Sequence, residues 1–150
     1  MAAPAAYDGR IYIADTSAWA NAAHPAVKDE WAAALRNRQI ATCPIVKLEL
    51  LYSARDGDDY DRLDSMLAAL RDIPITRAVT NTALAAFRDL AHVQPLHHRS
   101  IKFPDFLIAA AAQDAAIGVL HYDHHYDRLT DALELESRWI APAGSLATDT

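Results

Sequence analysis

Two short apolar runs, far apart in the chain, constrain its fold more than any other feature. Ile11-Tyr12-Ile13-Ala14-Asp15 and Ile117-Gly118-Val119-Leu120-His121-Tyr122-Asp123 each read as a short buried strand that ends in an aspartate. Unbroken apolar runs of this length fit parallel strands covered on both faces. In an open sheet flanked by helices, the carboxyl ends of such strands share one edge, and ligands bind in the crevice there. Two carboxylates on that edge repel each other unless a positive group sits between them. The remainder of the chain reads as the helices, further acids and basic residues around that pair.

The intervening segments alternate accordingly. Thr16-Ser17 opens a helix through about Ala23, stopped by Pro25, and Val27 to Arg38 is helical with Trp31 on its core stripe. Ile40-Ala41-Thr42 is a second strand, and Pro44 sits where a first helical residue tolerates proline, before a helix from Ile45 to Arg55 that Gly57 ends. Asp58 to Arg71 is a further helix and Asp72 to Ile75 a third strand. Helices over Thr80 to His92, Pro104 to Ala116 and Tyr126 to Leu135 follow, with an edge strand at Ser137 to Ile140. Strands separated by helices predict an α/β fold, a three-layer α/β/α sandwich with a short, mainly parallel central sheet. With 150 residues and no internal repeat, the expectation is one domain over residues 1–150, its ordered core about 10–141 between short flexible tails.

Composition closes off several classes. A hydrophobic fraction of 52% with 4 Gly and 7 Pro excludes a disordered chain. Cys43 is the only cysteine, which rules out an internal disulfide and fits a reducing cytosol. Met1 to Arg10 lacks the pattern of a secretory signal, and the most apolar segment, Phe106 to Leu120, is broken by Gln113 and Asp114 and falls short of the roughly 20 residues a membrane span requires. The expectation is a soluble, cytoplasmic protein without membrane contact. A net charge of -6 argues against a general nucleic-acid coat protein. It leaves a nuclease open, because acids gathered around cations make that face far less negative than the formula.

Four acids fall at strand ends or on the helices that flank them. Asp15, before Thr16-Ser17, suits a helix cap as well as a ligand. Glu49 shares a helical face with Ile45, Leu48 and Tyr52, so it interrupts an apolar stripe from which Lys47 points away. A carboxylate on a core-facing stripe is costly unless it is paired or metal-bound. Asp105 lies in the first turn of a helix, where the dipole favours a negative charge. Asp123 also suits a plain turn residue. Each acid has a structural explanation alone, but those explanations give no reason for all four to fall where the fold gathers them. Clustered hard oxygen ligands suit Mg²⁺ or Mn²⁺ completed by substrate phosphate, and such ions promote phosphodiester hydrolysis.

Four sequence blocks carry a family likeness: Ile13-Ala14-Asp15-Thr16-Ser17-Ala18, Val46-Lys47-Leu48-Glu49-Leu50-Leu51, Phe103-Pro104-Asp105-Phe106-Leu107-Ile108-Ala109-Ala110-Ala111 and Val119-Leu120-His121-Tyr122-Asp123-His124-His125-Tyr126-Asp127. In this order the chain resembles the PIN-domain proteins, and among them the VapC toxins of bacterial toxin–antitoxin (VapBC) pairs, over roughly Ile11 to Ile140. The resemblance implies a Mg²⁺-dependent endoribonuclease, with Mn²⁺ able to substitute, silenced by a cognate VapB-type antitoxin, and a homodimer. It makes Asp15, Glu49, Asp105 and Asp123 the catalytic, metal-binding acids, with Ser17 or Thr16 hydrogen-bonding in the acidic pocket. Many relatives carry another acid two residues after the fourth, where this chain has His125, and Asp127 stands too far along the next helix to replace it.

Candidates for holding RNA phosphates at the rim are Lys47, Arg55, His97, His98, Arg99 and Lys102. Trp19 and Tyr126 are candidate stacking platforms for bases. His121, His124 and His125 lack a thiolate partner or H-E-x-x-H spacing for zinc and read as surface histidines near the RNA entrance. Cys43, at a helix start where a thiol's pKa can fall, reads as a small buried residue. No G-x-S-x-G elbow is present. The competing class is a non-catalytic binding or regulatory module that works through antitoxin or nucleic-acid binding. A receiver is disfavoured because the third strand does not end in an acid. Leu63, Met66, Leu67 and Leu70, together with Ala109 to Ala112, mark either core or a partner surface.

Overall fold

The computed structural model describes residues 5–146. Its centre is a five-stranded sheet in the order β3-β2-β1-β4-β5, parallel throughout. The strands are β1 (Tyr12–Ala14), β2 (Ile40–Thr42), β3 (Arg71–Asp72), β4 (Gly118–His121) and β5 (Ser137–Trp139). β1 lies between β2 and β4, with Ile13 opposite Ala41 on one side and Val119 on the other. The strand order reverses there, so the carboxyl ends of β1 and β4 flank the sheet's topological switch point.

Both faces of the sheet are covered, as period-two alternation requires. Ile13, Ala41 and Val119 enter one core with Val46 of α3 (Pro44–Tyr52), Val79, Ala83, Ala86 and Leu90 of α5 (Arg77–Val93), Ile108 to Ala112 of α6 (Phe103–Asp114), and Tyr126 and Leu129 of α7 (His125–Leu129). Their neighbours Tyr12, Ala14, Ile40 and Leu120 face the opposite core with Ala18 of α1 (Thr16–Asn21) and with Trp31 and Ala34 of α2 (Lys28–Arg36). The remaining helix, α4 (Gly57–Ala68), packs on α3. No helix is long and apolar enough among the described residues to cross a membrane.

Several elements differ from the sequence expectation for local reasons. Gly57 opens α4 instead of merely ending α3, because Asp56 caps the helix by accepting from the Asp59 amide at 2.8 Å. β3 closes at Asp72: the Ile73 amide still donates to the Thr42 carbonyl at 2.8 Å, but Pro74 has no N–H with which to continue. α5 starts earlier, at Arg77, because the Thr76 hydroxyl caps the Val79 amide. α7 stops at Leu129, and Leu133 and Leu135 reach the core from turns rather than from a longer helix.

The two apolar patches that were ambiguous between core and partner surface resolve differently. Ala109 to Ala112 are wholly buried. On α4 Leu67 is buried, Leu63 is half-buried and Met66 is exposed, and Leu70, just beyond the helix, is half-buried. Trp19 and Trp31 pack edge to face, 4.8 Å between ring centres, so Trp19 belongs to the packing and is not a free platform.

Candidate active site

Asp15 ends β1 and caps α1. One of its carboxylate oxygens, Oδ2, accepts from the Ser17 amide at 3.0 Å and from the Ser17 hydroxyl. Ser17 Oγ in turn accepts from the Tyr122 amide at 2.9 Å, which ties the start of α1 to the end of β4. The Asp15 amide donates to the Leu120 carbonyl at 2.9 Å. Capping and ligand readings of Asp15 are therefore compatible, because the cap occupies one oxygen and leaves the other, Oδ1, for different partners.

Asp105 lies in the first turn of α6, behind Pro104, and is buried. Asp123 follows β4, and its Oδ1 accepts from the His125 amide at 2.9 Å, which fixes the turn into α7. Asp15, Thr16, Ser17, Ala20, Glu49, Lys102, Asp105 and Asp123 line a single cavity of about 250 Å³. The four acids named from the sequence thus meet at the switch point. Thr16 Oγ1 is buried with no hydrogen-bond partner among the described residues.

Two residues that contact these acids were not among the acidic-pocket candidates. Tyr126, proposed as a base platform, is fully buried: its hydroxyl donates to Asp15 Oδ1 at 2.8 Å and lies 3.4 Å from Asp105 Oδ1. Burial, then the charges of Asp15 and Asp105, push its pKa well above the usual phenol range, so it remains a donor. The available signal was that a tyrosine on the core side of a helix must satisfy its hydroxyl. His125, expected at the surface, is half-buried with Nδ1 3.0 Å from Asp105 Oδ2 and 3.6 Å from Asp123 Oδ1.

Crowding of acids has the expected electrostatic result. Burial foremost, then the Asp15 charge, push the Asp105 carboxyl up to about 6, against the lowering hydrogen bond from His125. Burial of its carboxyl and the charge of Asp15 raise Glu49, while the neighbouring Thr16 hydroxyl and then the charge of Lys102 lower it. A donor set of carboxylate oxygens that burial and mutual repulsion disfavour as anions, with the Thr16 hydroxyl beside them, fits a hard divalent cation.

Other expectations are corrected by their surroundings. The α3 face of Leu48, Glu49 and Tyr52 does not face the core: Leu48 is 67% and Tyr52 93% exposed, while Val46 is buried. Periodicity identified the stripe, but the sheet covers the adjacent face of the helix. Of the six proposed phosphate contacts, Lys102 lines the cavity. Lys47 Nζ is paired with Asp72 at 2.8 Å, Arg55 lies beside Asp59, and His97 bonds Gln94. His98 packs edge to face on Phe87, and Arg99 is exposed outside the cavity lining.

No trio of histidines forms. His121 is buried against Tyr126 and Trp139, and burial pushes its pKa down to about 4, leaving it neutral. His124 is exposed beside Trp139. Asp127 accepts from Trp139 Nε1 at 3.1 Å and does not line the cavity, in keeping with its expected distance. Cys43 is buried and its pKa is raised, foremost by burial, which excludes an activated thiol.

The PIN domain family model matches residues 12–132, a span that runs from β1 past α7 and includes all four acids. The chain belongs to the PIN-domain family. This PIN domain is of the VapC type: it is 45% identical over 136 residues to Ribonuclease VapC18 of Mycobacterium tuberculosis, covering 91% of this chain and 99% of that protein. It is 34% identical over 135 residues to Ribonuclease VapC51 of the same organism, covering 90% and 96%. The five-stranded fold is shared with the crystal structure of VapBC-5 from Mycobacterium tuberculosis, a member of the VapBC family of toxin-antitoxin systems (TM-score 0.59, 20% identity, 85% of this chain and 97% of that one). It is shared also with DNA-bound VapBC from Salmonella typhimurium (TM-score 0.64, 13% identity, 88% and 99%).

Proposed function

We propose that this PIN domain is a divalent-metal-dependent endoribonuclease, the toxin of a cytoplasmic toxin–antitoxin pair held inactive by a cognate VapB-type antitoxin. The observation that carries the reading is the convergence of Asp15, Glu49, Asp105 and Asp123 with Lys102 on one cavity at the switch point. The ribonuclease names of the VapC relatives support RNA as the substrate, and the VapBC neighbours support an antitoxin partner.

Asp15, Asp105 and Asp123 would hold Mg²⁺ or Mn²⁺, with Glu49 at the mouth. Bound there, the ion supplies charge neutralisation at the phosphodiester and a lowered pKa for water. The protein's own groups do the rest. Lys102 offers a cation at the rim, where a phosphate contact positions the strand without reading sequence. Ser17 and Tyr126 hold the two oxygens of Asp15 in place, so that charge develops against fixed groups. Glu49, whose carboxylate burial and the Asp15 charge make more basic, is suited to take a proton from the attacking water.

Partner contacts would use the apolar surface that this fold leaves uncovered. Leu48 and Tyr52 on α3 are one such surface; Leu84 and Phe103, 61% and 73% exposed, border a cavity of about 240 Å³ between α5 and α6. An antitoxin and a second copy of this chain would occupy these surfaces.

The test is incubation of antitoxin-free protein with total cellular RNA in Mg²⁺, in Mn²⁺ and in EDTA, beside Asp105→Asn. Discrete cuts that disappear with EDTA and with the substitution are expected. A folded protein that cuts nothing would instead be the binding module.

A further inference from the structure

His125 stands two residues after the fourth acid, and the fold sets it against two of the cavity's carboxylates. Its amide is fixed by Asp123 Oδ1 at 2.9 Å, which sets the start of α7 so that the imidazole turns back over Asp105. The ligand atoms of Asp105, Asp123 and His125 all lie within 4.8 Å of one another. Nδ1 stands 3.0 Å from Asp105 Oδ2 and 3.6 Å from Asp123 Oδ1. Adjacent donors on an ion with bonds of about 2.1 Å are separated by roughly 3.0 Å in octahedral and 3.4 Å in tetrahedral geometry. Without metal the 3.0 Å contact is a hydrogen bond between the imidazole and Asp105; with Nδ1 deprotonated, the same placement puts the nitrogen at ligand spacing from both carboxylates with little rearrangement. A lone histidine on a helix surface would lack this; here two carboxylates that line the cavity stand within 3.6 Å of the nitrogen, whose ring lies just behind that lining.

We propose that His125 Nδ1 is a direct ligand of the divalent ion, together with Asp105 and Asp123, and that this nitrogen makes the site favour Mn²⁺ over Mg²⁺. The chemical reason is hardness. Mg²⁺ holds oxygen ligands and sheds water reluctantly, whereas first-row transition ions accept imidazole. The inference rests on the metal-site part of the reading above but not on RNA cleavage.

The experiment loads metal-free protein with Mn²⁺ and measures electron spin echo modulation, first with natural-abundance protein and then with ¹⁵N-histidine label. Nitrogen modulation that changes with the label is expected in the native chain and in His124→Gln, and is expected to vanish in His125→Asp. Calorimetric titrations with Mn²⁺ and Mg²⁺ should show the native preference for Mn²⁺ falling on the order of tenfold in His125→Asp, which still binds metal. Bound Mn²⁺ without nitrogen modulation, or an unchanged preference in His125→Asp, would overturn the proposal. Should His125→Asp fail to fold, the labelled native protein alone decides whether a histidine is bound, and His125→Asn replaces it in locating which. Failure of Mn²⁺ to bind at all would sink both the inference and the metal-site reading. Nitrogen-ligated Mn²⁺ in a protein that cuts no RNA would sustain the inference and remove the nuclease.

Discussion

The Tyr126 hydroxyl, on α7, donates to Asp15 Oδ1, at the end of β1, across 2.8 Å. It lies 3.4 Å from Asp105 Oδ1 as well, so one buried phenol stands between the acid that caps α1 and the acid in the first turn of α6. Tyr126→Phe removes this donor while keeping the ring that packs beside His121. Loss of a group that orients a ligand costs metal affinity and activity about 10–100-fold. Mn²⁺ affinity and the RNA cleavage rate should fall together in that range, with circular dichroism unchanged. A variant with native affinity and rate would show that the phenol only fills space.

Asp105 gives the metal-free protein a pH dependence whose sign follows from its pKa of about 6. A carboxyl that titrates higher folded than unfolded binds more protons in the folded state between about 4 and 6, so stability falls as pH rises through that window. Above it the penalty is complete. Asp105→Asn removes the charge, and at pH 7 should raise stability of the metal-free protein on the order of 2 kcal/mol, roughly 5 °C in melting temperature. The gap should close toward pH 4, and in saturating Mn²⁺ the order should reverse, because the native chain gains binding free energy that the variant lacks. Scanning calorimetry at pH 4 and 7 with and without the ion tests all of this; a variant less stable at pH 7 without metal would refute the repulsion.

How much of this was legible beforehand depended on whether the signal was local. The placement of Asp15 and Asp123 at the cavity was readable because an apolar run ending in an acid places the acid at a sheet edge. Their neighbourhood needed only parallel pairing of the two runs, which β1 and β4 make. Tyr126 and His125 were not readable in their roles, because those depend on how tightly the Asp123 turn swings α7 back over α6. The α3 stripe failed differently: spacing gives a face, but the packing that covers a face is tertiary, and Leu48 and Tyr52 remained outside. The basic residues were hardest, since Lys47 and Lys102 differ in sequence by nothing that says one will reach Asp72 and the other the cavity.

Gly118 is where the sheet tolerates no side chain. A Cβ there would stand 2.7 Å from the Tyr12 ring and 2.8 Å from the Glu136 carbonyl, which accepts the Val119 amide at 2.9 Å. Relief requires β1 or β5 to move, so Gly118→Ala should cost about 1–3 kcal/mol. Gly57→Ala is the control: it starts α4 with nothing within 4 Å of the added methyl and should be neutral or slightly stabilising. Denaturant midpoints for the two proteins decide; equal midpoints would mean the β1–β4–β5 contact yields freely.

Lys102 and Lys47 offer a paired test of the rim. Lys102 lines the acidic cavity, whereas Lys47 Nζ is engaged by Asp72 at 2.8 Å on the far side of α3. A lysine that contacts one phosphate contributes about 0.7 to the slope of log affinity against log salt for a single strand. Lys102→Ala should therefore weaken RNA binding and flatten that slope by about this amount, while Lys47→Ala leaves the slope unchanged. Because Lys102 also lowers Glu49, its removal should let the Glu49 pKa rise further and move the acid limb of the cleavage profile to higher pH. Salt titrations of binding and a pH profile of cleavage for both variants test this. An equal effect of Lys47→Ala on the salt slope would mean that the RNA runs across α3 instead of over the cavity mouth.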